Sequence, residues 1–451
     1  MSFDKSTLVL LGEALDRLDD GFGKLPAFTP DVDHEALRAV LREVAERMRD
    51  NFPYQHPLYA GQMLKPGHPV ARLSYALAQH VNPNNHSLDG GRASSRMEKE
   101  AVAEIAAMFG WTAHLGHLTS GGTMANLEAL WVAGKLDPGK KIAASSQAHF
   151  THGRISEVLG LPFEAIPVDR RARMDPGALE AALRRGDIGT VVATVGTTAT
   201  GSIDPLPDVL ELRTRYGFRL HADAAYGGYF TLADNLADDA RAAYDRLGEA
   251  DSLVIDPHKH GLQPYGCGCV VFKDPAVGAL YKHDSPYTYF SSAELHLGEI
   301  SLECSRAGAS AVALWATQRL FPLTRGGAFA ADLGKCRQAA LILYERLKGD
   351  PRFMTAFPPQ LDIVIFAPRG TSAGMISERS RAIFAAAAAE NLHLALAEFP
   401  QGLLGDAWRD VAWDRPSVTC LRSCLMKPEH LDWIDPIWAA LDRAASLSDF
   451  Q

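Results

Sequence analysis

Short apolar runs alternate with helix-sized segments through the middle of the chain, from about residue 114 to residue 272. The runs are rich in β-branched or small apolar residues, and a helix-length segment or a loop follows each one. They are KIAAS, FEAIPV, TVVATVG, RLHADA, SLVID and CGCVVF. This alternation is typical of crossover connections, so we predict an α/β fold with a mostly parallel sheet covered on both faces.

The pattern differs at the two ends of the chain. Residues 1–82 are punctuated by proline and place apolar residues at helical spacing, as in DVDHEALRAVLREVAERM, which predicts an N-terminal helical arm. Residues 83–326 form the predicted large domain. In residues 327–451, helical segments surround LDIVIFAP, HLALAEF and SVTCLRSCLM, which indicates a small α+β C-terminal domain.

Composition and charge exclude several classes of protein. The 451 residues are 47% hydrophobic and 22% charged, which is too apolar for a disordered chain. The net charge of −9 gives no overall positive field to attract nucleic acid or an anionic membrane. We find no apolar run near the ~18 residues that span a bilayer and no secretory signal pattern. We therefore expect a cytoplasmic protein with reduced cysteines.

Polar residues that directly follow the apolar runs are candidates for a ligand site, because open α/β sheets bind ligands at the carboxyl ends of their strands. Gly122 and Thr123 lie in TSGGT, just before a helical segment, where free backbone N–H groups favour a phosphate. Asp223 interrupts the apolar run RLHADA. A buried carboxylate at such a place needs a positively charged partner.

Two further polar residues follow predicted strands. Lys259 lies between two histidines in DPHKHG, where desolvation would free its amine to act as a nucleophile. His149 follows KIAAS, where an imidazole can stack on a flat ligand. Each residue alone has an ordinary structural explanation. Together the four positions describe a ligand with a phosphate, a protonated ring nitrogen, a flat ring and an aldehyde, and pyridoxal phosphate has all of these parts.

Six segments between about residues 83 and 308 resemble the group II pyridoxal-phosphate-dependent amino acid decarboxylases, the family of aromatic-L-amino-acid and glutamate decarboxylases. They are TSGGTMANLEAL, SSQAHF, VGTTATGSID, HADAAYGG, DPHKHG and SLECSRAG. The resemblance implies fold type I, the aspartate-aminotransferase type, with pyridoxal 5′-phosphate as cofactor. It also implies a homodimer with active sites at the subunit interface.

The resemblance implies a role for each matched residue. Lys259 would form a Schiff base with the cofactor, and Asp223 would pair with the ring nitrogen. Ala225 and His149 would pack against opposite faces of the ring. The remaining implied contacts to the phosphate, the ring or the substrate are Gly122, Thr123, Thr197, Asp256 and His258. One departure from the family pattern is His260, where many members carry tryptophan or another aromatic residue.

Substrate contacts are also predicted from the resemblance. Tyr287 and Tyr289 lie where the family has a mobile loop whose tyrosine protonates the carbanion, and we favour Tyr289. His86 would touch the substrate from the partner subunit. With the loop tyrosines, Tyr59 could make an aromatic pocket, which favours an aromatic amino acid as substrate.

The favoured reaction is decarboxylation of an L-amino acid to the amine and carbon dioxide. The predicted catalytic residues are Lys259, His149, Asp223, His258 and Tyr289. The alternatives on the same cofactor are transamination, carbon–carbon lysis, aldehyde-forming oxidative deamination and decarboxylation of an acidic amino acid. An acidic substrate would need a cation such as Arg92 or Lys65 at its side-chain end. A binding protein without catalysis is disfavoured because the lysine, aspartate and stacking histidine are all in place.

Two histidine pairs have spacings that a metal ion could use. They are His114 with His117 and His149 with His152. Each pair lacks a third ligand at a convincing distance in sequence, so we assign no metal.

Overall fold

We describe the protein from a computed structural model that covers residues 5–26, 28–282 and 295–448. The large domain contains a seven-stranded sheet with strand order β1-β7-β6-β5-β4-β2-β3. The strands are β1 (Leu115–Thr119), β2 (Lys141–Ser145), β3 (Phe163–Ile166), β4 (Ile188–Thr194), β5 (Arg219–Asp223), β6 (Ser252–Ile255) and β7 (Gly268–Phe272). Strands β2 to β6 pair in parallel, whereas β7 is antiparallel to both β1 and β6. The predicted mostly parallel sheet is confirmed.

Both faces of this sheet are buried. Val191 of β4 and Leu253 of β6 belong to one hydrophobic cluster, whereas the adjacent Val192 and Val254 belong to two other clusters. Because successive side chains of a strand point to opposite faces, apolar packing covers the sheet on each side. Strand β4 is buried at every position, which explains why TVVATVG is almost continuously apolar.

Helices connect the strands and form the two ends of the chain. They are α1 (Leu8–Asp20), α2 (His34–Met48), α3 (Pro69–Gln79), α4 (Arg92–Met108), α5 (Gly122–Leu136), α6 (Thr151–Val158), α7 (Pro176–Leu183), α8 (Leu206–Tyr216), α9 (Asp238–Asp245), α10 (Gly308–Leu320), α11 (Ala328–Gly349), α12 (Ala373–Ala389), α13 (Gln401–Leu404) and α14 (Ile434–Ser448). Within the described ranges, no helix has both the length and the apolar character needed to cross a bilayer.

A smaller sheet lies in the C-terminal part of the chain. Its strands are β8 (Phe353–Thr355), β9 (Ile363–Pro368), β10 (Ala395–Pro400) and β11 (Ser417–Cys424), in the order β10-β11-β9-β8. All neighbouring pairs in this sheet are antiparallel. Leu343 of α11, Ile383 of α12 and Leu441 of α14 belong to the cluster that packs with it. This confirms the expected small α+β unit, whereas the exact domain boundaries stay predictions.

His221 of β5 is a buried polar residue of the large domain, and both of its ring nitrogens have hydrogen-bonding partners. Nε2 lies 2.8 Å from Asn126 Oδ1 and Nδ1 lies 2.9 Å from Ser252 Oγ. Burial lowers the pKa of His221 from 6.5 to about 3. The folded protein therefore keeps this ring neutral in mild acid, where the unfolded chain protonates it.

We expect the free energy of unfolding to fall as the pH drops from 6.5 towards 3, because the unfolded state binds a proton at His221 that the folded state excludes. For this one group the slope should reach ~1.4 kcal/mol per pH unit. Urea unfolding at a series of pH values measures it. His221→Asn should flatten the slope by about that amount, and an unchanged slope would contradict the assignment.

Candidate active site

The carboxyl ends of β4, β5 and β6 border a cavity of about 320 Å³. Parallel strands bring the residues that follow them to one edge of the sheet, so side chains far apart in sequence meet there. Eight predicted cofactor residues line this cavity: Gly122, Thr123, His149, Asp223, Ala225, Asp256, His258 and Lys259. The structure thus brings together the residues that the sequence analysis selected for the phosphate, the ring and the aldehyde.

One end of the cavity is the N-terminus of α5. This helix begins at Gly122, and its N-cap residue Gly121 provides no side-chain cap. In the described part of the chain, the backbone N–H groups of Gly122, Thr123 and Met124 have no hydrogen-bond acceptor. A Cβ atom at Gly122 would lie 2.6 Å from Asp256 Oδ2, so glycine permits the close approach of this carboxylate. Open donors at a helix N-terminus suit a phosphate.

Asp223 is the last residue of β5 and is buried. Its Oδ2 lies 2.8 Å from His152 Nε2, and its Oδ1 accepts a hydrogen bond from the Ala225 N–H at 3.2 Å. Burial by itself would raise the pKa of Asp223. The hydrogen bond from His152, together with the charges on His152, Lys259 and His221, outweighs burial and holds this pKa well below its usual value. The carboxylate is therefore ionised and can pair with a protonated ring nitrogen.

Lys259 lies in the loop after β6, beside a second buried carboxylate. Its Nζ is 3.0 Å from Asp256 Oδ2, and His258 Nε2 is 3.5 Å from the same oxygen. The other oxygen of Asp256 is buried without a hydrogen-bond donor in the described part of the chain. His258 Nδ1 lies 2.7 Å from the Cys267 carbonyl oxygen, to which it donates, and burial lowers the pKa of this histidine. The amine is thus held where it faces the cavity.

His149 follows β2 and lines the cavity with its imidazole. Its Nδ1 lies 2.8 Å from Thr151 Oγ1, which fixes the orientation of the ring. Burial lowers the pKa of His149, so the ring is neutral near pH 7. A neutral, flat and oriented ring is suited to stacking on a planar ligand.

Some predicted site residues do not line the cavity. Thr197 is fully buried, and its hydroxyl bonds to the Thr200 hydroxyl and accepts from the Ser202 N–H within its own turn. Tyr59 is buried in an aromatic cluster outside the cavity. His86 of the same chain does not line the cavity either. Tyr287 and Tyr289 lie outside the described residues. Roles for these five residues stay predictions.

Two of the four paired histidines have partners that the sequence analysis did not identify. His117 Nε2 is 2.9 Å from Glu128 Oε2, and His152 contacts Asp223 as described above. No group of three or more potential metal ligands occurs among the residues that the structure describes. The contact of His152 was missed because sequence spacing gave no sign that α6 turns this side chain towards the end of β5.

Arg422 is a second residue that sequence reasoning missed. This buried residue of β11 donates from its guanidinium to the carbonyl oxygens of Thr198 and Ala199 at 2.8 and 3.1 Å. It also donates to Gln62 Oε1 at 3.1 Å. Because Thr198 lines the cavity, Arg422 ties the C-terminal sheet to the cavity wall. An arginine inside the otherwise uncharged SVTCLRSCLM was the available signal.

Comparison with known sequences identifies the family. Residues 131–369 match the sequence model of the pyridoxal-dependent decarboxylase conserved domain. The chain belongs to this family. Its cofactor is accordingly pyridoxal 5′-phosphate, and it is an amino acid decarboxylase by class, as the resemblance predicted.

Individual relatives are more distant. The chain is 29% identical over 434 residues to L-tyrosine decarboxylase of Enterococcus faecium, covering 73% of this chain and 70% of that protein. L-tyrosine decarboxylase of Levilactobacillus brevis is 28% identical over 403 residues. This match covers 67% of this chain and 64% of that protein, which is less than two thirds of its length. L-aspartate decarboxylase of Thermococcus kodakarensis is 29% identical over 283 residues, covering 61% and 71%.

Solved structures confirm the fold. The crystal structure of Oryza sativa TDC with PLP and tryptamine aligns with a TM-score of 0.78 at 17% identity, covering 99% of each chain. Mouse CSAD aligns with a TM-score of 0.78 at 19% identity, covering 96% of this chain and 91% of that one. Identities this low establish the shared architecture alone.

The residues of the cavity fit pyridoxal phosphate. Gly122, Thr123 and Met124 present free N–H groups for the phosphate, and Asp223 offers an ionised carboxylate for the ring nitrogen. Lys259 would supply the amine for the aldehyde. Each of these groups faces the same cavity, so one ligand can contact all of them.

We expect Gly122→Ala to weaken binding of pyridoxal phosphate by about 10- to 100-fold, because the added methyl group would overlap the Asp256 carboxylate. Equilibrium dialysis of the cofactor measures the effect. Gly153→Ala on α6 is the matched control, since a Cβ there meets its nearest atoms, on Phe163, at an ordinary 3.7 Å. Equal affinity of the two variants would contradict the close approach at Gly122.

Proposed function

We propose that this protein decarboxylates an L-amino acid with an aromatic side chain, and that it forms the corresponding amine. The choice of an aromatic substrate rests on the charged residues around the cavity. Among the described residues that line the cavity, Lys259 is the one lysine or arginine, and it is paired with Asp256. An acidic substrate side chain would need a second cation to balance its charge.

The two cations considered for an acidic substrate lie elsewhere. Lys65 Nζ donates to the Met426 carbonyl oxygen at 3.1 Å and lines a different cavity. Arg92 is the exposed first residue of α4. Tyr226 and Met124, by contrast, contribute apolar surface to the cavity that contains Lys259. The two similar L-tyrosine decarboxylases support tyrosine as the first candidate.

Pyridoxal phosphate, when bound, accepts the electron pair left at Cα after carbon dioxide departs. The ionised Asp223 holds a proton on the ring nitrogen, which keeps that acceptor strong. Neutral His149 packs on the ring face and adds no competing charge. When Lys259 is not bonded to the cofactor, Asp256 pairs with its Nζ. This pairing keeps the lysine, which can carry a proton, inside the cavity.

The last proton transfer, to Cα, needs an acid. We assign it to Tyr289, with Tyr287 as the alternative, on the resemblance of this segment to the family's loop. His86 and Tyr59 stay candidate substrate contacts, with His86 reaching the site of the partner subunit.

Incubation of the cofactor-loaded protein with single amino acids, followed by mass spectrometry, tests the proposed reaction. We expect amines from tyrosine, dopa, phenylalanine or tryptophan, and little product from aspartate or glutamate. Lys259→Ala should lower the rate at least about 1,000-fold, because it removes the group that binds the aldehyde. Amine from aspartate alone would overturn the aromatic assignment, and aldehyde or keto acid products would overturn decarboxylation.

We also propose a homodimer in which each subunit covers the N-terminal helices of the other. Neither α1 nor α2 has a buried residue in the single chain. Helix α2 exposes one apolar stripe at helical spacing, and its members are 46–62% exposed. They are Leu37, Val40, Leu41, Val44 and Met48. A contiguous exposed stripe of this kind is typical of a protein–protein contact.

Leu41→Glu tests the dimer, because it places a charge in the middle of the α2 stripe. We expect it to raise the dimer dissociation constant at least about 10-fold. Light scattering during size-exclusion chromatography measures the molar mass, with 48.9 kDa expected for one chain. Ala39→Glu adds the same charge on the opposite face of α2 and should leave the dimer intact. A wild-type protein that runs as a monomer would exclude the proposal.

We propose a cytoplasmic location because the cysteines are unpaired. All six are free thiols, and five of them are buried. Unpaired cysteines are the usual state in a reducing compartment.

A further inference from the structure

His152 contacts the catalytic carboxylate from outside the cavity. It lies in the first turn of α6, its side chain is fully buried, and its Nε2 is 2.8 Å from Asp223 Oδ2. His152 does not line the cavity, whereas Asp223 does. The imidazole therefore acts on the ligand site through Asp223 and makes no direct contact there.

The direction of this hydrogen bond defines the tautomer of His152. An ionised carboxylate can only accept, so Nε2 carries the hydrogen and donates it. The other nitrogen, Nδ1, is buried and has no partner among the described residues. A hydrogen on Nδ1 would be buried without an acceptor, so Nε2 is the donating nitrogen.

A donor at this place has a specific consequence for Asp223, because it satisfies Oδ2. Oδ1 accepts only a long 3.2 Å bond from the Ala225 N–H in the described structure, so it keeps acceptor capacity. The two oxygens of the carboxylate are therefore not equivalent: one is held by His152, and the other is available to a ligand in the cavity.

We propose that His152 is a positioning residue for the cofactor: by donating to Asp223 Oδ2 it fixes the carboxylate and leaves Oδ1 available to the ring nitrogen. His152 thereby contributes to the affinity for pyridoxal phosphate through the ring nitrogen alone. This inference rests on binding of the cofactor and is independent of the substrate proposed above.

The test compares two ligands on apoprotein variants of the full chain. One ligand is pyridoxal phosphate, and the other is its analogue with C–H in place of the ring nitrogen. His152→Leu leaves Asp223 Oδ2 buried without a donor, so we expect pyridoxal phosphate to bind about 10- to 100-fold more weakly. The analogue should lose no more than about threefold, because it makes no bond to Asp223. Equilibrium dialysis gives both dissociation constants.

Conservative variants separate hydrogen bonding from packing. His152→Gln places an amide N–H near the former Nε2 and should restore affinity to within about threefold, whereas the shorter side chain of His152→Asn should behave like leucine. Ser156→Ala, one turn further along α6, should change neither constant. In an Asp223→Asn background, His152→Leu should add no further loss, because the coupling runs through the carboxylate.

Each outcome decides the proposal. Equal losses for both ligands would show a general packing role and overturn it, as would an unchanged affinity in His152→Leu. If His152→Leu fails to fold, the glutamine and asparagine variants still decide between the two roles. A wild-type protein that binds pyridoxal phosphate but forms no aromatic amine would refute the proposed substrate and leave this inference standing.

Discussion

A carboxylate buried at the carboxyl end of a parallel strand is the constraint on which the site depends. Asp223 has little contact with solvent, and a buried charge costs several kcal/mol by rough estimate unless it is paired. Within the chain, its partners are the His152 imidazole and the nearby charge of Lys259. These partners keep the charge without neutralising it fully. The folded chain therefore holds, before any ligand binds, a negative group that would stabilise a protonated ring nitrogen.

Sheet topology brings the other site residues to this carboxylate. Strands β4, β5 and β6 are adjacent and parallel, with Thr194 beside Asp223 and Asp223 beside Val254 in the register. The loop that carries Asp256 and Lys259 therefore begins at the edge where β5 ends. A shift of one residue in the register of two of these strands would move the groups apart by the rise of one residue, roughly 3.3 Å. A displacement of that size would break a hydrogen bond between them.

The strands β2 to β7 could be predicted from apolar runs, and Gly122, Thr123, His149, Asp223 and Lys259 from the segments that follow such runs. The positions of Ala225, Asp256 and His258 in the site were implied by the family resemblance. Strand β1 was not among the predicted runs, and its segment LGHLT contains a polar histidine. His117 is nevertheless buried, since Glu128 pairs with it at 2.9 Å. His152 and Arg422 were missed for a related reason. Their partners lie 71 and 224 residues away along the chain, and no local pattern encodes a contact of that range.

The departure at His260 can now be explained in physical terms. This residue follows Lys259 and is fully buried, and an imidazole in such a place needs a polar neighbour where an aromatic residue would not. Asp362, just before β9 of the small sheet, is such a neighbour: its Oδ2 lies 3.1 Å from His260 Nε2, in a geometry that makes an ion-pair contact and not a hydrogen bond. The other oxygen of Asp362 accepts from the Tyr226 hydroxyl at 2.7 Å. Since Tyr226 lines the cavity, this carboxylate joins the small sheet both to the lysine segment and to the cavity wall. Arg422 makes a second such link, so the position of the C-terminal sheet is coupled to the shape of the site at two places.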